Sequence, residues 1–148
     1  MKFYIANDHA GFSIKSDVIK ILKNKNCEVI DIGTTSCERV DYPDFAHTLC
    51  EAVLKDNESF GILICGSGIG MSMAANRHKG IRAALCHDSY TAKMARAHNN
   101  ANVLCLGERV LGLGVIELII DAWIEESFEG GRHAERVNKI EIRQEDGC

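Results

Sequence analysis

The sequence predicts an α/β fold: a three-layer α/β/α sandwich, Rossmann-like, built on a five-stranded parallel sheet. Two observations predict it. Five short, nearly all-apolar runs alternate with longer stretches whose apolar residues recur at helical spacing. Strands apolar on both sides belong to a sheet covered on both faces, and crossovers that return the chain in the same direction put helices there.

The strands are expected over residues 3–6, 29–32, 62–65, 81–85 and 103–106. After the first, Ile14, Val18, Ile21 and Leu22 fall at i, i+4, i+7 and i+8, one face of a helix. Pro43, the only proline, follows Asp41 and precedes an apolar series, as at the first turn of a helix from Tyr42 to Lys55. A helix beginning after Asp88 should end at "HNN" (98–100), with His98 at its C-terminus and Asn99 as the left-handed cap. The long helix starting near Gly112 carries Val115, Ile116, Leu118, Ile119, Ile120, Trp123 and Ile124 on more than one face, so a subunit interface is expected beside it. Gly130 and Gly131 are expected to end that helix, and a last one to run from about Arg132 to Ile142.

At 148 residues the chain fits one domain, residues 1–148, large enough to bury its own core. A formal charge of −4 excludes the broad basic face that nucleic acid requires. Seven cysteines include no C-x-x-C pair and no histidine cluster at zinc spacing, so no structural metal is expected. The N-terminus "MKFYIANDH" lacks a secretory pattern, and a reducing cytoplasm is the expected compartment. The most apolar segment, 113–124, is too short for a membrane span and is broken by Glu117 and Asp121.

In a parallel sheet the ligand crevice lies at the carboxyl ends of the strands. Those ends read "NDH" (7–9), "CGSGIG" (65–70) and "CHD" (86–88). Backbone amides feeding a helix near Ile69 can hold a phosphate or an enolate, and the alternating glycines let the backbone approach it. A packing turn is the plain alternative. "GSGIGM" lacks the third glycine of the dinucleotide fingerprint, although Asp88 stands where a ribose-binding acid could, and it lacks the lysine of a P-loop.

Cys65 opens that loop. A thiol beside a helix N-terminus has its thiolate favoured by the dipole and can act as a base, whereas Cys86 and Cys105 read as small hydrophobes. Asp8 and His9 reach the same crevice, either as a helix cap or as groups for proton transfer. Arg132, Arg136, Lys139 and Arg143 form one stripe at i, i+4, i+7 and i+11; Arg132 sits in a first turn, where the dipole disfavours a cation, and a phosphate would account for it.

Together, "NDHAGF", "DYPDFA", "GILICGSGIGMSMAANR", "GIRAALCHD", "ARAHNNANVLCLGERVLG" and "EGGRHAERV" resemble, in order, the B-type ribose-5-phosphate isomerase family, grouped with the subunits of galactose-6-phosphate isomerase. The likeness spans roughly residues 3–142. It implies a cofactor-free and metal-free aldose-ketose isomerase of the non-oxidative pentose phosphate pathway, interconverting ribose 5-phosphate and ribulose 5-phosphate in sites shared across a homodimer, with a dimer of dimers left open. Alternatives are a six-carbon sugar phosphate, such as allose or galactose 6-phosphate, or a non-catalytic nucleotide- or sugar-phosphate-binding module.

The resemblance implies Cys65 as the base between C1 and C2, the amides of Gly66, Ser67, Gly68, Ile69 and Gly70 as the cradle for the enediolate oxygen, and Ser67 as a proton relay. It implies His98 for ring opening, Asp8 near the sugar and Asn99 on a hydroxyl. His9, Arg132 and Arg136 match the phosphate clamp, with Arg109 expected from the neighbouring chain. Some relatives carry a carboxylate at the position of Met71; this chain has methionine there, leaving Cys65 as the evident base.

Overall fold

The computed structural model describes residues 1–142. Its order is β1 (Lys2–Asn7), a 3₁₀ turn (His9–Gly11), α1 (Phe12–Asn24), β2 (Glu28–Asp31), α2 (Tyr42–Lys55), β3 (Ser59–Cys65), α3 (Ile69–Ala75), β4 (Ala83–Leu85), α4 (Ser89–Ala97), β5 (Val103–Gly107), α5 (Leu113–Glu125) and α6 (Arg132–Val137). All strand pairs are parallel, in the order β2-β1-β3-β5-β4. The sandwich is Rossmann-like, as the sequence predicts.

Alternation along the strands divides the core in two. Ile62 and Ile64 of β3 and Leu104 and Leu106 of β5 pack with Val18 and Leu22 of α1 and Ile116, Ile119 and Trp123 of α5. Leu63, Cys65, Val103 and Cys105 face the other way, onto Leu49, Cys50 and Val53 of α2 and Met71 and Ala75 of α3. Side chains two apart share a face of a strand, so each strand serves both layers. β2 lies on one side of β1 and β3 on the other, which makes the end of β1 and β3 the switch point where a crevice opens.

Four expectations about local structure change. α5 ends at Glu125, and Glu126 is extended; Gly130 and Gly131 instead take positive φ just before α6. α6 stops at Val137, because Lys139 and Ile140 bond back only three residues, to Arg136 and Val137, and the tighter turn does not propagate. Lys139 therefore leaves the helical stripe; Arg143 and Cys148 lie outside the described residues. The left-handed residue after α4 is Asn100, with φ 47°, rather than Asn99. β4 begins at Ala83 because the Arg82 amide bonds the Asn102 side chain at 2.8 Å instead of a strand carbonyl.

On α5, Ile116, Ile119, Ile120 and Trp123 are buried, while Leu113, Val115 and Leu118 remain exposed. That is the double-faced helix the sequence implies.

Candidate active site

Three strands deliver side chains to one cavity of about 390 Å³. Asp8 and His9 arrive from the end of β1, Cys65, Gly66, Ser67 and Gly70 from the turn between β3 and α3, and Arg109 and Val110 from the end of β5. Ala10 and Tyr42 complete the wall. The parallel register puts Cys65 opposite Gly107, so the loop that carries Arg109 leaves the sheet beside the thiol. Two backbone bonds tie the loops together: Glu108 N–H donates to Cys65 O at 2.9 Å and Arg109 N–H to Gly66 O at 3.0 Å.

The Cys65 sulfur accepts a hydrogen bond from the Gly68 amide at 3.1 Å. Cys27, Cys50 and Cys86 do the reverse: their thiols donate to backbone carbonyls of Lys25, Ala75 and Ala84. Burial pushes the Cys50 thiol up to about 12 and that of Cys86 to about 11, and raises that of Cys105 well above the ordinary value. Among the described buried cysteines, Cys65 alone both accepts a backbone amide at its sulfur and lines a cavity.

Gly68 achieves this with φ 77°, and a Cβ there would stand 2.5 Å from Leu85 Cδ1 and 3.1 Å from the Leu106 carbonyl carbon. The position requires glycine for both reasons. The next amide, Ile69 N–H, is taken by Ser67 Oγ at 3.3 Å. Two of the five expected cradle amides, Gly68 and Ile69, are thus engaged by side chains of the loop itself.

Asp8 is 5% exposed, and its Oδ1 accepts from the amides of Ala10 at 2.9 Å and Gly11 at 3.1 Å. The capping role and the crevice role left open by the sequence coincide, since the cap fixes the carboxylate at the cavity wall. His9 Nδ1 lies 3.2 Å from Val40 O and 3.3 Å from Val40 N, which anchors the ring by one nitrogen. Asp88 does no more than cap α4, accepting from Thr91 N–H at 2.7 Å, which removes the one residue that kept a nucleotide reading alive.

Tyr42 was not singled out by sequence reasoning. Its ring lies over Gly70 so closely that a Cβ there would stand 2.7 Å from Cε2 and Cζ. Its position just before Pro43, at the head of α2, is the available signal.

Arg109 lies in this chain's own cavity, its Cδ and Nη1 3.6 Å from where a Gly66 Cβ would be. The bond from Arg109 N–H to Gly66 O holds its backbone beside its own loop. His98, Asn99, Arg132 and Arg136 do not line the cavity. His98 stacks on the largely buried His133, ring centroids 4.1 Å apart and planes within 5°, with Glu129 3.8 Å from His98 Nε2 and 3.4 Å from His133 Nε2. Burial first, then the charges of His98 and Arg132, hold His133 below the ordinary histidine value. Donor atoms of His98, Glu129 and His133 come within 4.8 Å of one another. The parallel rings, however, cannot aim their in-plane lone pairs at one ion without turning.

The sequence profile of the family described as Ribose/Galactose Isomerase matches residues 3–140. Ribose-5-phosphate isomerase B of Escherichia coli is 47% identical over 133 residues, 90% of this chain and 89% of that protein. The structure of Clostridium thermocellum ribose-5-phosphate isomerase B is 52% identical, covers 95% of each chain and superposes with a TM-score of 0.90. The type B ribose 5-phosphate isomerase of Trypanosoma brucei is 48% identical, covers 94% of this chain and 95% of its own, and gives 0.91.

Proposed function

The chain belongs to the ribose/galactose isomerase family, and from that premise we propose that it interconverts D-ribose 5-phosphate and D-ribulose 5-phosphate through a cis-enediolate. The observation that carries the mechanism is the acceptor role of the Cys65 sulfur in the strand-end cavity.

In the open-chain aldose the C2 proton is acidic because the neighbouring C1 carbonyl takes up the charge when it leaves. Cys65, as thiolate, removes that proton. The electron pair moves onto O1 and the enediolate forms with its oxygens towards the loop amides, where preorganised donors act most strongly because charge develops only at this step. A proton passes from O2 to O1, with Ser67 Oγ placed to relay it, and the Cys65 thiol returns its proton to C1, leaving the ketose. Asp8, fixed by two amides, binds the sugar hydroxyls. His9 and Arg109 hold the phosphate, Arg109 through the bidentate geometry of its guanidinium.

Ring opening requires an acid-base group, and we assign it to His98 supplied by a second copy of the chain, with Asn99, Arg132 and Arg136 from the same copy. Two observations support a homodimer with shared sites: those four residues stand away from their own chain's cavity, and α5 leaves Leu113, Val115 and Leu118 exposed. Residues 1–148 act as one sugar-phosphate isomerase domain, working in the cytoplasm; among the described residues no helix is long and apolar enough to cross a membrane.

Incubation with ribose 5-phosphate and detection of the ketose tests the activity directly. Conversion to the same equilibrium mixture from either sugar is expected; no turnover of either would refute it.

A further inference from the structure

At the opposite end of the sheet a second cavity, of about 360 Å³, opens where β3 begins and the chain enters β4 and β5. Two arginines meet there, Arg82 and Arg96, with Asn57, Ser59, Asn100 and Asn102 around them. Arg96 is only 7% exposed. Its guanidinium lies 4.4 Å over the Phe60 ring and 5.6 Å from that of Trp123.

Buried charges are ordinarily paired, because an unpaired one loses its hydration without return. Among the described residues, neither Arg82 nor Arg96 has a carboxylate within ion-pair distance. Their hydrogen bonds go to loop carbonyls: Arg82 Nε to Asn100 O at 2.7 Å, Arg82 Nη1 to Gly80 O at 3.2 Å and Arg96 Nη1 to Ala101 O at 2.7 Å. Those three bonds clamp the loops but use a minority of the five N–H donors that each guanidinium carries. Arg96 Nε is buried with no acceptor. Burial first, and then the charge of Arg82, hold the Arg96 guanidinium below its ordinary value. Two carboxylates act on the pair from beyond ion-pair distance: Glu141, which accepts from the Gly80 amide of the cavity wall at 2.7 Å, favours the charge of Arg82, and Glu126, paired with Lys93 at 3.4 Å, favours that of Arg96.

We propose that this cavity is a second anion site, separate from the one holding Cys65, which takes a phosphate group between Arg82 and Arg96 with the asparagine side chains completing its shell. Free phosphate and a sugar monophosphate share that chemistry, and the cavity volume admits either. The inference does not depend on which reaction the first cavity performs.

Trp123, the only tryptophan, reports on this end of the molecule because its ring lies beside Arg96. Inorganic phosphate is titrated against tryptophan fluorescence at constant ionic strength, with glucose 6-phosphate as a second probe. A saturable change is expected in the wild type and in Arg109→Gln, which weakens only the first cavity. In Arg82→Gln the apparent affinity should fall at least tenfold. Should that variant fail to fold, Asn57→Phe, an exposed rim position whose ring would obstruct the mouth, carries the same expectation. Tighter binding of glucose 6-phosphate assigns a phosphorylated sugar, and equal affinity assigns the free ion. A change that does not saturate, that survives Arg82→Gln or Asn57→Phe, or that disappears in Arg109→Gln overturns the proposal.

Discussion

The Gly68 amide donates to the Cys65 sulfur over 3.1 Å, three residues along the chain and across a left-handed turn. The strand ends at Cys65, the helix begins at Ile69, and the turn between them returns one N–H to the thiol. Local backbone shape is thus coupled directly to the chemistry proposed for this residue.

Gly68→Ala tests that coupling. A side chain at φ 77° costs about 1–2 kcal/mol, and the contact with Leu85 at 2.5 Å adds to it. The urea midpoint should drop accordingly. Relief of the clash would tilt the amide off the sulfur, so kcat should fall more than tenfold with a smaller change in KM. Unchanged kcat in a folded variant would show that the amide does not serve the thiol.

Gly70→Ala addresses Tyr42. The added methyl must displace the ring it would meet at 2.7 Å, which narrows the cavity rather than the core. Raised KM with nearly unchanged thermal stability is expected. A loss of stability as large as that of Gly68→Ala would place Tyr42 in the packing instead of the site.

The thiols should separate by reactivity. Cys37 is exposed, whereas Cys50, Cys86 and Cys105 are buried and held protonated. With a thiol-specific disulfide reagent near neutral pH, Cys37 should be labelled at once and those three only on unfolding, since the thiolate is the reacting form. Peptide mapping by mass spectrometry distinguishes them, and prompt labelling of Cys105 would contradict the described core.

His133 should make stability sensitive to acid. Its folded-state value is lowered, chiefly by burial, so the unfolded chain binds this proton more tightly than the native one. The native state is therefore undisturbed above the unfolded histidine value of about 6.5 and loses stability as pH falls through the lower folded value. His133→Gln should flatten the dependence of the denaturation midpoint on pH in that window. An identical slope in the variant would assign the acid sensitivity to other groups.

The sheet, five of its helices and the crevice are legible in the sequence because each rests on local signals: apolar runs, Pro43 at a helix start and Asp8 and Cys65 at strand ends, whereas Arg109 enters only through the family resemblance. Tyr42 is not legible in this way, since its contact with Gly70 joins two elements and no spacing rule encodes it. The end of α6 escaped for a related reason. The basic stripe kept helical spacing past Val137 while the backbone had already tightened into a turn. Glycine was ambiguous too: Gly130 and Gly131 look like a helix stop, yet their positive φ values turn an extended segment into the next helix.

The proposal that Cys65 carries the proton is tested most directly by running the reaction in deuterium oxide and following isotope incorporation at C1 and C2 of the sugar phosphates by NMR. Cys65→Ala should bind ribose 5-phosphate yet incorporate no deuterium above the uncatalysed rate, while the wild type exchanges and isomerises. Exchange in Cys65→Ala at a rate approaching that of the wild type would show that another group removes the proton and that the sulfur is not the base.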